Sequence, residues 1–299
     1  MKVSRVVLWS ALLVAANISS SAQNIAAQNP PKPASQNPSP MSESLRAHKR
    51  LTQTDVPGRR INLSTGTLLI PSTARIRSTM PLYIHFHGAP WVAEQSIAAV
   101  NPGAAIITFD LGAGSGVYSR AFHDPARFQQ LLQEAAKAID PTNPPQFKPI
   151  VLSSFSAGYG AIREILRNHD NWPYIDRVVL VDSLHTGYIP DGAPGPLDPA
   201  PLQPFLDFAR EAAAGKKVLV YTHSEIFPGT FASTTETANY LITTLALKQH
   251  PVLKWGPGGM QQLSDLHVKG LHILGFAGNS APDHIDQFHA LQQWLRMAK

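Results

Sequence analysis

The chain has 299 residues, of which 43% are hydrophobic and 15% charged: enough apolar content for one large core, and too much for a disordered chain. Its formal net charge of +5 is concentrated at one end, since residues 1–60 hold eight Lys/Arg against two Asp/Glu, and residues 61–299 hold 17 against 18. A near-neutral folded part argues against a nucleic-acid-binding face. The absence of cysteine excludes a disulfide framework, a lipid-modified cysteine, a thiol nucleophile and a Cys-ligated metal.

In chain order, Lys2 and Arg5 precede an apolar run over residues 6–16, followed by Ser20 and Ala22 in the small-residue places before Gln23. This predicts a signal peptide over 1–22 and export to the periplasm or medium. The competing reading is an uncleaved anchor, for which the apolar run is short. Residues 23–44 are rich in Pro, Gln, Asn, Ser and Ala and are expected to be a linker. Residues 45–299 are expected to form a single α/β domain.

Within that domain INLSTGTLLIP (61–71) predicts a β-hairpin region. The segments PLYIHF (81–86), AAIITFD (104–110), PIVLSS (149–154), RVVLVD (177–182), KVLVYT (217–222) and LHILGF (271–276) have the continuous apolar, β-branched character of strands buried on both faces. Helical spacing appears at Phe128, Leu131, Leu132, Ala135 and Ile139; over 157–168; at Phe205, Phe208 and Ala212; over 240–247; and at Ile285, Phe288, Leu291 and Leu295. Strands alternating with helices predict a mostly parallel, doubly wound sheet with helices on both faces.

Chemistry in such a sheet is expected beyond the carboxyl ends of the strands. There SFSAG (154–158) places Ser156 between a strand and a helix, with Ser154 and Gly158 two residues to either side. A nucleophile on so sharp a turn needs small neighbours, because strand and helix nearly touch. The same serine is equally readable as a helix N-cap. Upstream, His87 and Gly88 follow a strand, so the amide of Gly88 or Ala89 is placed to join that of Ala157 in an oxyanion hole. A further reading makes His85 and His87 metal ligands on one strand face, although no Asp-His continuation follows nearby. Downstream, His284 lies at the junction of the last loop with a helix. His289 is one turn further in, and His267 and His272 precede or enter the strand.

The series PLYIHFHG, SFSAG, VLVD and PDH resembles the α/β-hydrolase superfamily over roughly residues 60–298, with Ser154 standing where esterases and lipases commonly have Gly. The resemblance implies an α/β-hydrolase-like sheet and hydrolysis of an ester, thioester or amide through an acyl-enzyme, with no cofactor and no metal. Ser156 would be the nucleophile and His284 the base. The acid is Asp182, at the end of RVVLVD, or alternatively Glu225, after the next strand; a short side chain on a backbone fixed by the sheet favours Asp182, which can otherwise be read as capping a turn with Ser183. Trp91, Tyr118 and His87 are candidate substrate-binding residues. The loop LGAGSGVYSR (111–120) reads as a Gly-rich connection or a binding loop, not a phosphate loop. The Pro- and Gly-rich segment 183–203 predicts a short cap over an accessible site. A carboxylic ester is the expected small-molecule substrate, while the alternatives are an amidase or peptidase with the same triad and a non-catalytic cell-envelope binding module. Oligomeric state is not legible.

Overall fold

Continuous apolar runs in this chain become the middle of one sheet. In a computed structural model describing residues 47–192 and 194–299, ten strands form a single sheet in the order β1-β2-β4-β3-β5-β6-β7-β10-β9-β8. They are β1 (Gly58–Asn62), β2 (Thr67–Pro71), β3 (Thr79–Phe86), β4 (Ala105–Phe109), β5 (Gln146–Phe155), β6 (Arg177–Val181), β7 (Val218–Ser224), β8 (His250–Trp255), β9 (Gln261–Val268) and β10 (Leu271–Phe276). β4, β3, β5, β6, β7 and β10 run parallel, with β1 and β2 added antiparallel at one edge and β9 and β8 at the other. The mostly parallel, α/β-hydrolase-like sheet expected from the sequence is the one observed. The expected signal peptide and linker lie outside the described residues, and among those residues no helix is long and apolar enough to cross a membrane.

Alternating side chains of the strands feed two cores. On one face Leu82, Ile84 and Phe86 of β3 and Ile107 and Phe109 of β4 pack under α2 (Ser115–Ala121), α3 (Arg127–Ile139), α4 (Tyr159–Arg167), α5 (Gln203–Ala213) and α6 (Thr234–Thr244). On the other, Tyr83, Ile106, Val179 and Val220 meet α1 (Pro90–Val100), α7 (Ala281–His289) and α8 (Leu291–Met297).

Several elements differ from the expectations. α1 and α2 are additional, and α2 takes up residues 115–120 of the 111–120 segment expected as a Gly-rich connection or binding loop. α6 begins six residues before the expected 240, because Ser233 and Glu236 form a capping box that satisfies the first amides of the helix. The single C-terminal helix is two, divided at Ala290. The hairpin β8–β9 was not expected: β8 is exposed at five of six positions, so it buries no apolar face to announce it. No α-helix occurs among the described residues between β6 and Gln203, so the cap is short.

Candidate active site

Three non-glycine residues adopt left-handed backbone geometry directly after parallel strands: His87 (φ 74°) after β3, Ser156 (φ 47°) after β5 and Asp182 (φ 42°) after β6. Such conformations cost roughly 1–3 kcal/mol each and persist only where surrounding structure enforces them. These strands are neighbours, so the three strained corners stand side by side at the carboxyl end of the sheet.

The Ser156 corner explains the small residues around it. A Cβ on Gly158 would lie 2.1 Å from the carbonyl oxygen of Phe86, and one on Gly160 would lie 2.3 Å from that of Ser115; any side chain would therefore push the turn off β3 or α4 off α2. Ser156 opens a 3-10 turn (Ser156–Gly158) that leads into α4, and no side chain caps either helix start, so the N-cap reading does not describe it. Ser154 is fully buried. Its hydroxyl lies 2.8 Å from that of Ser183, which donates to the Ser156 carbonyl at 2.8 Å; since Ser183 spends its proton there, Ser154 is the donor. The hydroxyl that departs from the common Gly thus belongs to a chain of bonds tying the strained corner to the loop after β6.

At the third corner Asp182 is 1% exposed. Its Oδ1 accepts from the Ser224 amide (3.0 Å) and Thr234 Oγ1 (2.6 Å), and its Oδ2 from Ser224 Oγ (2.7 Å) and His284 Nδ1 (2.7 Å). Burial pushes the carboxyl pKa up, but the His284 contact, followed by the Thr234 and Ser224 bonds, outweighs it and holds the group at about 2. An ionised acceptor at that distance selects the His284 tautomer that carries its proton on Nδ1. Glu225, the alternative acid, lies elsewhere: its Oε2 accepts from the Gly278 amide at 3.2 Å, in the loop that leads to α7.

His284 comes from the first turn of α7 and, with Ser156, Asp182 and Thr234, lines a cavity of about 420 Å³ otherwise walled by His185, Ile226, Pro228, Phe231, Asn279 and Ala281. Phe155 lies against the His284 ring with centroids 4.4 Å apart. No hydrogen bond joins Ser156 Oγ to another side chain among the described residues.

No family description matches the chain, and no curated protein does. Among solved structures it is similar to the enterobactin esterase of Shigella flexneri, with 13% identity, a TM-score of 0.47, and coverage of 81% of this chain and 61% of that one. It is similar also to carboxyl esterase 2 of the mycorrhizal fungus Tuber melanosporum (14% identity, TM-score 0.45, 85% and 91% covered) and to an arylesterase (13%, 0.46, 84% and 89%). The chain thus spans about three fifths of the length of the first of these.

The β3 corner is braced from below. His85, 1% exposed, donates from Nε2 to the His87 carbonyl at 2.8 Å and accepts at Nδ1 from Ser153 Oγ at 2.8 Å. Burial depresses its pKa to about 3, so the ring is neutral and this tautomer is fixed. Its ring stacks on Phe288. Gly88 (φ 95°) has no room for a side chain, because a Cβ would stand 2.6 Å from Phe288. Ala89 precedes α1, whose N-terminus directs amides outward.

The three residues expected to bind substrate are placed differently. Tyr118 is fully buried; its hydroxyl accepts from the Leu111 amide (3.0 Å) and lies 2.8 Å from His87 Nδ1, so it supports His87 and does not line the cavity. Trp91 packs on His289 with ring centroids 5.6 Å apart and lines a separate hollow with Asp55 and Arg60. His87, half-buried, sits between Tyr118 and Phe155. His289 accepts from the Leu51 amide at 3.0 Å and holds residues before β1. The sequence reading missed His185, which lines the cavity and donates from Nδ1 to the Ala232 carbonyl at 2.8 Å; burial lowers its pKa. Only its position just past Asp182 could have marked it.

Proposed function

We propose that this protein is a serine hydrolase that cleaves carboxylic esters through an acyl-enzyme. The observation that carries the reading is the strained Ser156 corner sharing one cavity with His284, whose Nδ1 is 2.7 Å from a buried carboxylate. Ser156 Oγ attacks the ester carbon as His284 Nε2 takes its proton, forming the Oγ–C bond. The carbonyl oxygen collects negative charge and is held by the Ala157 amide with that of Gly88 or Ala89; one such donor supplies roughly 3 kcal/mol. When the C–O bond breaks, His284 returns the proton to the departing alcohol. Water then enters, gives its proton to His284, and releases the acid and the free serine. Asp182 orients His284 and stabilises its charged form. The mechanism calls on no metal and no cofactor.

The test is labelling by a fluorophosphonate together with turnover of short p-nitrophenyl esters. Labelling that Ser156→Ala abolishes supports the reading; labelling that persists in that variant places the nucleophile elsewhere, Ser153 and Ser154 being the nearest candidates. We extend the proposal to export by signal cleavage, on the strength of Lys2, Arg5 and the apolar run that follows. An intact mass beginning at Gln23 supports export, and a Met1 start recovered with membranes overturns it.

A further inference from the structure

Two hollows meet at Ser156. The cavity described above contains His284; a second, of about 480 Å³, shares Ser156, His185 and Phe231 with it but is otherwise built from Ala157, Ser115, Tyr159 and Arg163 among others. On the ester-hydrolase reading, which this inference rests on, the chemistry separates them. His284 must protonate the leaving alcohol, so the alcohol lies in the cavity that contains His284, and the acyl chain runs the other way, past the Ala157 amide into the second hollow.

Among the described residues Arg163 is the one fixed charge lining that hollow, and no carboxylate lines it. Its Nε donates to Glu164 Oε1 at 3.2 Å and its Nη2 to Ser119 Oγ at 2.8 Å, while Nη1 has no bond among the described residues. Glu164 also accepts from Arg167 Nη1 at 2.7 Å; one carboxylate thus serves two guanidinium groups and leaves the cluster positive. Arg163 lies over the Tyr159 ring at 5.9 Å. The Tyr159 hydroxyl donates to Ser115 Oγ at 3.1 Å, so the Ser115 proton is free to turn into the hollow. The Arg163 end of the hollow therefore offers the Ser115 hydroxyl proton and positive charge. A neutral apolar chain would desolvate the Nη1 end of that guanidinium without supplying an acceptor, whereas a carboxylate would pair with it.

We propose that the second hollow is an acyl subsite for chains ending in a carboxylate, so that the preferred substrates are half-esters of dicarboxylic acids. Arg163 follows Ser156 by seven residues, across the 3-10 turn and into α4, roughly 10–12 Å, and its side chain leans back toward the N-terminal end over Tyr159, which suits a chain of about six carbons at about 1.2 Å per extended bond.

The experiment compares the p-nitrophenyl monoester of adipic acid with p-nitrophenyl hexanoate, which differ only in the terminal carboxylate. We expect the ratio of kcat/KM, acidic over neutral, to favour the acidic ester in the wild type by about ten-fold or more. It should fall about ten-fold in Arg163→Gln, be largely retained in Arg163→Lys, and narrow as salt is raised. A wild type that prefers hexanoate, or a ratio that Arg163→Gln leaves unchanged, overturns the subsite. Should Arg163→Gln melt early, Ser115→Ala reads the same ratio through the second donor. Failure of the hydrolase reading is distinct: neither ester would turn over above the Ser156→Ala background. Adipate binding by calorimetry then decides the subsite, supporting it if Arg163→Gln weakens binding and overturning it if the wild type does not bind.

Discussion

The Ser156 and Asp182 corners share one backbone solution and put it to opposite uses. Both are non-glycine residues at φ near +45° after adjacent parallel strands. Asp182 is 1% exposed and takes four hydrogen bonds; Ser156 is partly exposed and its hydroxyl takes none among the described residues. Strain at the first is absorbed by a side chain locked in place, and strain at the second presents a side chain to the cavity. On the proposed mechanism the first corner holds a charge in place and the second frees a nucleophile, and the surroundings of each fit those two requirements.

The largest expected effect breaks the pair at its free member. Ser156→Ala should lower kcat by about 10⁶ with little change in melting temperature, because the hydroxyl contributes no bond to the fold. A large loss of stability would show that the two corners are less different than their geometry indicates. Asp182→Asn should lower turnover by about 10⁴ and also destabilise the protein, since an amide presents donors to groups that are themselves donors. Glu225→Gln, assayed beside it for turnover and melting, should change turnover less than about ten-fold, because it exchanges one acceptor for another opposite the Gly278 amide. Collapse of turnover in the Glu225 variant alone would reassign the acid.

What was readable in the sequence divides along physical lines. Strands buried on both faces, such as RVVLVD, carry their signal in every residue, and the corners at His87, Ser156 and Asp182 stand at the ends of such runs. The hairpin β8–β9 buries too little to leave a pattern, and its Leu253 and Trp255 are 76% and 70% exposed. Tyr118 and Trp91 looked like cavity walls because each follows a strand on the correct side. Which way a side chain turns from such a position is decided by tertiary partners, here the Leu111 amide and His289. Likewise, nothing local to Ser154 announces a hydroxyl partner 29 residues away in Ser183.

Two buried rings, His85 beneath the His87 corner and His223 in β7, depend on protonation, which sharpens the comparison through pH. Burial depresses His85 to about 3 and His223 to about 4 from the ordinary 6.5. Since the unfolded chain binds these protons more readily, stability is fully present above about pH 6.5 and is lost as pH falls toward the folded values, by up to about 1.4 kcal/mol per pH unit for each ring. The depressed Asp182 acts with the same sign lower down, from the ordinary 3.8 to about 2. Urea midpoints between about pH 7 and about pH 4 should therefore decline, and the decline should be shallower in His85→Asn. An unchanged slope in that variant would show that the ring is not held neutral beneath His87.

The smallest effect concerns the hydroxyl chain that joins the two corners. Ser183 donates to the Ser156 carbonyl and accepts from Ser154, so Ser183→Ala leaves one acceptor and one buried donor without partners at once. That should cost about 1–3 kcal/mol and, on the proposed mechanism, lower kcat more than it raises KM, because the bond to the Ser156 carbonyl helps fix the turn that aims its hydroxyl. Ser154→Gly restores the residue more usual at this place, and it removes donor and hydroxyl together, leaving only an acceptor on Ser183 unused. Its expected cost is smaller, about 1 kcal/mol, much of it from the added freedom of glycine in the unfolded strand. Melting and steady-state kinetics on the two variants separate the roles. If Ser154→Gly proves as damaging as Ser183→Ala, the brace on Ser156 runs from β5 itself, and the loop carrying Asp182 is a bystander to the strain beside it.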